Sequence, residues 1–180
     1  MCEQHEAPRF SGQFHHTKEN LTEMVYPAQP MHTKIMFPAL GVLCLAFSVY
    51  NFLRGHLNST FYVIAVFYVL LSVYSFLRLP LYARKYANQS LKKMEELDQA
   101  HAVSTIELHE KELVTSSNIS EDVKKTTYDH IIRYQETKHL ILLWRPQKLF
   151  YPIEKNSLTG GTADQLKTFL KEKNPDIRMR

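Results

Sequence analysis

The chain has 180 residues, with 22 lysines and arginines against 18 aspartates and glutamates, so its formal net charge is only +4. The opposite charges are interleaved, and no helix-turn-helix, zinc-finger or RNA-binding signature is present, so nucleic acid is excluded as the predicted partner. Cys2 stands at the N-terminus and Cys44 in an apolar segment, which argues against a disulfide framework and indicates a reducing compartment. The first apolar run begins only near residue 35, so no signal peptide is expected.

Residues 1–33 are expected to contain two short elements. Residues 10–14 predict a strand, and Thr17 is placed to cap a helix that carries Leu21, Met24 and Val25 on one side. So short a region is too small to fold alone. We therefore expect residues 1–33 to complete a domain formed by residues 104–180, with the intervening segment as an insertion.

Residues 34–81 contain two segments without a charged residue, 35–53 and 61–77. Helices of these lengths would span about 25–29 Å, close to the roughly 30 Å hydrocarbon core of a bilayer. The alternative, a pair of helices buried in a soluble protein, requires a larger core than this chain can supply. The pattern predicts a two-helix transmembrane hairpin, with the lipid bilayer as its first partner.

The distribution of cations predicts the orientation of the hairpin. The connection, residues 54–60, is short and contributes only Arg54, so the helices should be antiparallel neighbours with both termini on one side. The other side carries six cations: Lys34, Arg78, Arg84, Lys85, Lys92 and Lys93. Because cytoplasmic loops are rich in lysine and arginine, we expect a multi-pass protein of the cell (plasma) membrane with both termini in the cytoplasm.

The apolar segments lack the acidic or basic side chains that mark an ion path or a proton relay, so we interpret the hairpin as an anchor. Gly41 and Ser48 would permit close approach between helices, which leaves homo-oligomers open. Beyond Pro80, residues 82–103 are rich in helix formers and predict a juxtamembrane helix. The cations of this helix would lie near anionic headgroups.

Residues 104–180 show the alternation that is typical of strands. The expected strands cover residues 104–108, 111–116, 128–136, 139–144 and 148–153, with a further one near Val123. Turns at Thr137-Lys138 and Pro146-Gln147 would join the last three into an antiparallel meander. Gly160-Gly161 then breaks the chain, and Thr162 with Gln165 predicts a capping box. The C-terminal helix that follows should pack across the sheet through an apolar stripe of Ala163, Leu166, Phe169 and Leu170.

No combination of residues predicts catalysis or metal binding. The histidines lack partners at zinc-site spacing: His15, His16, His101, His109, His130 and His139. The pairs Asp129-His130 and Glu107/His109 lack a nucleophile or a second acid, so we predict no enzymatic activity, no metal and no cofactor. Gly160-Gly161 precedes a helix N-terminus and could bind an anion, although such glycines far more often only break the chain.

One group of residues is the best candidate for a partner surface, because Trp, Tyr and Arg are enriched where partners bind. We call it the aromatic–basic cluster: Arg133, Tyr134, Trp144, Arg145, Lys148, Phe150 and Tyr151. Its expected partner is a protein or a lipid headgroup. The alternative interpretation places Trp144 and Phe150 in the core and treats the cations as ordinary surface.

Three segments of the chain carry a family resemblance: TTYDHIIRYQETKHLILLW (residues 126–144), YPIEKNSL (151–158) and DQLKTFLKEK (164–173). With the layout described above, they resemble the YcxB-like family of bacterial membrane proteins. The chain departs from the family where Tyr128 replaces a usual tryptophan and where Glu154 replaces the proline of an Ile-Pro-Lys element. The resemblance implies a pleckstrin-homology-like (PH-like) domain, a bent antiparallel sheet or small barrel with a C-terminal helix at one end, and implies no enzymatic activity.

These observations together predict an α+β membrane protein: a two-helix transmembrane hairpin inserted in an antiparallel, strand-rich PH-like domain with a C-terminal helix. The expected function is that of a membrane-anchored, non-enzymatic binding or regulatory module. An alternative function is that of an accessory or immunity-type subunit that acts through the hairpin on another membrane protein. An enzyme acting on a membrane substrate would need catalytic residues that the sequence does not reveal.

Overall fold

The computed structural model describes residues 7–54, 59–97, 102–119 and 123–179. Within these residues the fold is α+β, with four α-helices and two sheets. The helices are α1 (Lys18–Ala28), α2 (Met31–Arg54), α3 (Ser59–Glu96) and α4 (Ala163–Lys173). The strands are β1 (Phe10–His15), β2 (Val103–Leu108), β3 (Glu112–Ser117), β4 (Lys124–Thr127), β5 (Arg133–Glu136), β6 (Leu140–Trp144), β7 (Phe150–Glu154) and β8 (Arg178–Met179).

The chain divides into two compact units. The sheet unit consists of Met1–Met24 and Asn88–Arg180, and the helical unit consists of Val25–Ala87. The sequence of the helical unit is therefore inserted between two segments of the sheet unit.

The strands of the sheet unit form two four-stranded sheets, in the orders β1-β2-β3-β4 and β7-β6-β5-β8. Strand β1 pairs antiparallel with β2, from Phe10 opposite Leu108 to His15 opposite Val103. A bridge between Ser11 and Thr159, together with packing of β1 against β7, connects the two sheets. The N-terminal strand is thus part of the same unit as the C-terminal half of the chain.

One hydrophobic core is shared by both sheets and α4. Helix α4 begins with the predicted capping box, in which Gln165 N donates to Thr162 Oγ1 (3.3 Å) and Thr162 N donates to Gln165 Oε1 (2.8 Å). The stripe of α4 enters the core through Leu166, Phe169 and Leu170. The strands contribute Phe10, Ile106, Leu108, Leu113, Tyr134, Ile141, Leu143 and Ile153. The predictions of this helix, its cap and its buried face are confirmed.

The expected strand over residues 128–136 is only half correct. Tyr128–His130 forms a 3-10 turn, and β5 begins at Arg133. The side-chain amide of Asn174, the residue after α4, donates to the backbone oxygens of Tyr128 (3.1 Å) and Ile131 (3.0 Å). This contact between residues far apart in sequence holds the backbone in a turn, which the local aromatic and β-branched pattern does not reveal.

Strand β8 was not predicted. Its two residues, Arg178 and Met179, pair parallel with Arg133 and Tyr134 of β5. The sheets are therefore mainly antiparallel, as expected, and the pairing of β5 with β8 is parallel. A two-residue strand is too short to produce a readable alternation, so only its pairing identifies it.

Helices α2 and α3 pack against each other within the helical unit. The hydroxyl of Ser72 donates to the Gly41 carbonyl (2.9 Å), and that of Ser48 donates to the Ala65 carbonyl (3.0 Å). Because the later residue of α2 pairs with the earlier residue of α3, the helices run antiparallel. Phe76 lies so close to Gly41 that a Cβ there would come within 2.8 Å of its ring. These small residues therefore serve contacts inside one chain.

Helix α3 continues through Pro80 and ends at Glu96. The predicted juxtamembrane helix over residues 82–103 is therefore the continuation of the second apolar helix, and it is shorter than expected, since Val103 already belongs to β2. A proline removes one backbone donor and frees the carbonyl four residues earlier, and the helix nevertheless continues on both sides of it. Residues 98–101 lie outside the described part of the chain.

Helices α2 and α3 are both long and apolar enough to cross a membrane, judged by length and composition. Only 22% of the most apolar window of α2 and 17% of that of α3 is buried within the chain. Large apolar side chains such as Leu53, Val63 and Leu70 are instead mostly exposed. This arrangement differs from a core helix of a soluble domain, whose apolar face is covered by the protein itself.

Candidate functional site

The register of β5, β6 and β7 divides the aromatic–basic cluster over two faces of one sheet. Arg133 pairs with Trp144, which pairs with Phe150, so these three residues share one face. Tyr134 and Tyr151 occupy the alternate positions and lie towards the core. The cluster therefore does not form one continuous surface.

Two members of the aromatic–basic cluster are buried. Tyr134 is fully buried and Trp144 is 3% exposed. Neither side chain is available to a partner, which corrects that part of the predicted surface and agrees with the alternative that places Trp144 in the interior. Sequence alone suggests a surface because aromatic and basic residues alternate here, but β5 and β6 are the inner strands of their sheet.

Other members of the cluster cover the Trp144 ring. The guanidinium carbon of Arg133 lies 4.2 Å from the Trp144 ring centroid, and the Phe150 ring centroid lies 4.7 Å from it. A cation over the face of a tryptophan and a tilted aromatic pair are both stabilising contacts in their own right. We interpret this half of the cluster as packing.

Arg145 and Tyr151 form the other half of the cluster. Arg145 Nη1 donates to the Tyr151 hydroxyl (2.9 Å), which contacts Thr126 Oγ1 at 2.8 Å. Because Thr126 lies on β4 and Tyr151 on β7, this chain of hydrogen bonds joins the two sheets. Gln147, in the left-handed region with φ 65°, forms the turn after Arg145. The side chain of Lys148, the remaining predicted member, lies outside the described part of the structure.

Two histidine–glutamate contacts attach the N-terminal segment to the second sheet. Glu154 accepts from the backbone N–H of His15 (2.7 Å) and from Asn20 Nδ2 (2.7 Å), and it contacts His15 Nδ1 at 3.0 Å. Glu23 accepts from the backbone N–H of His139 (2.7 Å) and contacts its Nδ1 at 2.9 Å. These histidines therefore have structural partners. Among the described residues no group of three His, Cys, Asp or Glu is placed to hold a metal ion, and His101 lies outside them.

The other predicted carboxylate–imidazole pairs do not combine into a larger constellation within the described residues. His109 Nε2 lies 3.4 Å from Glu107 Oε2, whereas His130 Nδ1 contacts Thr127 Oγ1 (3.0 Å). The buried tyrosines also have structural roles, since Tyr128 donates to the His109 carbonyl at 2.6 Å. Burial, reinforced by nearby glutamates, raises the pKa of Tyr128 and of Tyr134, so both hydroxyls stay protonated donors at neutral pH.

Two carboxylates make the stability of the sheet unit depend on pH. Burial acts to raise the pKa of Glu23, but hydrogen bonds from His139 and Thr137 outweigh it and bring this pKa below the usual 4.5. The hydrogen bond from Lys155 lowers the pKa of Glu136. A carboxyl whose pKa is lowered by folding stabilises the protein above its ordinary pKa, and this contribution is lost as the pH falls through the folded value.

We therefore expect the free energy of unfolding of the sheet unit to decrease as the pH falls below about 4.5, because these two carboxylates then take up protons more readily in the unfolded chain than in the folded one. Urea unfolding followed by the emission of Trp144, the single tryptophan of the chain, measures it. Glu23→Gln and Glu136→Gln should each reduce the dependence on pH between 3 and 5. Glu19→Gln, at an exposed position of the same helix as Glu23, is the control and should retain the wild-type profile.

Gly160-Gly161 acts as the chain break and helix entry that the sequence favours over an anion site. Gly160 has φ 87°, and a Cβ there would collide with the Arg9 carbonyl, so the turn requires glycine. A cavity of about 370 Å³ adjoins it, but Asp164 and Glu172 are among its lining residues. Arg9 also lines this cavity, but it faces two acidic side chains that repel an anion, so the lining does not favour phosphate.

A groove of about 470 Å³ lies within the helical unit, between the beginning of α2 and the middle of α3. We call it the interhelix groove. Its lining includes His32, Met36, Phe37, Arg78, Leu79 and Tyr82. The guanidinium carbon of Arg78 lies 4.0 Å from the centroid of the Phe37 ring, so the cation is held over an aromatic face. The groove therefore combines apolar lining with one positioned cation.

The charge of the helical unit has one sign. No aspartate or glutamate occurs between Glu23 and Glu95, whereas this stretch contains Lys34, Arg54, Arg78, Arg84, Lys85, Lys92 and Lys93. The absence of acids could have been found by sequence reasoning, but the proximity of His32 and Arg78 in one groove depends on how the helices pack.

Comparisons with family models, with curated proteins and with solved structures found no match to this chain.

Proposed function

We propose that the chain is a membrane-anchored, non-enzymatic binding or regulatory module of the YcxB-like type. In this proposal α2 and α3 span the plasma membrane as a hairpin, and the sheet unit is a PH-like domain in the cytoplasm. The observation that carries the proposal is the insertion of two long, mostly exposed apolar helices between two segments of one compact unit. Water would make such a surface prone to aggregation, whereas a bilayer would cover it.

The composition of the sheet unit supports the orientation. Since Met1–Met24 and Asn88–Arg180 belong to one unit, both ends of the hairpin must reach the same side of the membrane. The cations Lys34, Arg78, Arg84 and Lys85 flank the same end of the two apolar stretches, as expected for the cytoplasmic side. Anchoring would keep the sheet unit near membrane partners at a high effective concentration.

The residues of the sheet unit support binding more than catalysis. Three ionisable side chains that could in principle serve in catalysis have structural hydrogen bonds instead: Glu23, Tyr128 and Glu154. These bonds join strands and helices. Among the described members of the aromatic–basic cluster, Arg133, Arg145, Phe150 and Tyr151 are half-buried, and Arg145 donates a hydrogen bond to Tyr151. An arginine and a tyrosine suit recognition of a protein or a phosphate group.

The proposal is tested by affinity purification of the full chain from detergent-solubilised membranes, with mass spectrometry of the recovered proteins and lipids. A matched control carries residues 25–87 fused to an unrelated soluble domain. We expect a specific partner with the full chain that the control does not recover. Recovery by the control would favour instead an accessory subunit acting through the hairpin, and a full chain without specific protein or lipid would contradict the proposal.

A further inference from the structure

We propose that the interhelix groove binds the headgroup of an anionic phospholipid, with Arg78 as the residue that contacts the phosphate. This inference rests on the proposed membrane insertion and adds to it a binding site and a ligand class. It is independent of the aromatic–basic cluster, which lies in the sheet unit.

The position of the groove favours a lipid. Its residues on α2 lie at the start of the first uncharged segment, and Arg78 is the first charged residue after the second uncharged segment. The groove therefore lies where each helix passes from its uncharged segment to charged residues. In a bilayer this is the depth of phosphates and glycerol backbones.

The groove has an apolar part and a polar part, as a phospholipid has acyl chains and a headgroup. Met36 and Leu79 offer apolar surface to the glycerol and upper acyl chain, while His32, Tyr82 and Arg78 offer polar atoms to the headgroup. A volume of about 470 Å³ lies in the range of small-molecule sites. Free inorganic phosphate would leave the apolar side of such a groove unused.

Arg78 is oriented for anion binding by its contact with Phe37. The guanidinium carbon lies 4.0 Å from the Phe37 ring centroid, and this cation–π contact holds the charge of Arg78 at the groove without using a carboxylate or carbonyl acceptor. Arginine and phosphate meet in charge-assisted, often bidentate hydrogen bonds. The helical unit contains no carboxylate to compete, since no Asp or Glu occurs between Glu23 and Glu95. An anionic lipid is thus the electrostatic complement.

The test uses the full chain in an uncharged detergent, titrated with dihexanoyl-phosphatidylglycerol, dihexanoyl-phosphatidylcholine or inorganic phosphate, with binding followed by native mass spectrometry. We expect saturable binding of one phosphatidylglycerol, at least about tenfold tighter than phosphatidylcholine, and no saturable binding of phosphate at the same concentrations. Equal affinity for the two lipids, or phosphate binding as tight as phosphatidylglycerol, would overturn the assignment.

Variants locate the site. Arg78→Gln should weaken phosphatidylglycerol binding by about tenfold or more, because it removes a charge-assisted contact. Phe37→Leu, which keeps the charge and removes the ring, should weaken it by about two- to fivefold. Arg178→Gln removes the same charge from an exposed position of the sheet unit, away from the groove, and should stay within about twofold. An Arg78→Gln protein that binds like wild type would exclude the groove.

A carbonate wash separates this inference from the proposed function. A chain that alkaline carbonate releases from membranes would overturn both, since neither holds without insertion. A chain that resists carbonate, but whose lipid binding is unaffected by Arg78→Gln, would overturn the headgroup site alone. Unchanged emission of Trp144 in each variant checks that the sheet unit is still folded, because this tryptophan is buried there.

Discussion

Replacing Phe169 by alanine will lower the free energy of unfolding of the sheet unit by about 3–5 kcal/mol, as expected for loss of a buried aromatic ring. Phe169 is 2% exposed, and its ring centroid lies 5.4 Å from that of Phe10 and 5.6 Å from that of Tyr128. The substitution opens a cavity where the first strand, the last helix and the 3-10 turn meet. Because whole domains are stable by only about 5–15 kcal/mol, the loss will be large.

Urea unfolding of the detergent-solubilised chain, followed by the emission of Trp144, measures this loss. Trp144 is 3% exposed and belongs to the sheet unit, so its emission reports on that unit. The matched control is Leu149→Ala, at a side chain 54% exposed in the same unit, which should change stability by no more than about 0.5 kcal/mol. A loss below about 1 kcal/mol for Phe169→Ala would show that the core does not depend on this ring.

Replacing Val66 by arginine will sharply reduce the fraction of the chain that is integrated in membranes. Val66 lies inside the second uncharged segment, five residues from its start, and is 60% exposed. In water, a change at so exposed a position would alter stability by no more than about 0.5 kcal/mol. Inside a bilayer an arginine costs up to about 2.5–3.5 kcal/mol on insertion scales, with the largest cost at the centre. The substitution therefore has almost no effect if the helix lies in water and reduces membrane integration if the helix spans a bilayer.

Resistance to alkaline carbonate extraction measures the integrated fraction. Val123→Arg is the matched control, because it introduces the same side chain at a valine that is 57% exposed in the sheet unit. We expect Val123→Arg to remain membrane-bound like the wild type and Val66→Arg to be depleted. If both variants behave like the wild type, α3 does not span a bilayer at this position.

Local sequence patterns predict most strands of the sheet unit but not how the strands pair. Alternating apolar and polar residues predict the strands over 104–108 and 111–116, and a short apolar run predicts the one over 139–144; β2, β3 and β6 lie at these places. The strand expected near Val123 appears as β4. The alternation does not show how strands are distributed, and the division into two sheets follows from their pairing.

The candidate site depended more strongly on tertiary structure. The composition of residues 133–151 predicts one surface for the aromatic–basic cluster, whereas the register of β5 to β7 divides it over two faces, with Tyr134 and Trp144 buried and the other described members half-buried. The interhelix groove was not predicted at all. Its residues are separated by more than forty positions along the chain, so no local pattern joins them.

Sequence by itself determined the features that depend on neighbouring residues: the two uncharged helices, the capping box of Thr162 and Gln165, and the apolar stripe of α4. These follow from hydrophobic periodicity and from hydrogen bonds within one turn. Only the tertiary structure decided the 3-10 turn held by Asn174, the parallel pairing of β8 and the place of Arg78 over Phe37. Each of these arises when distant segments meet, and packing then overrides local preference.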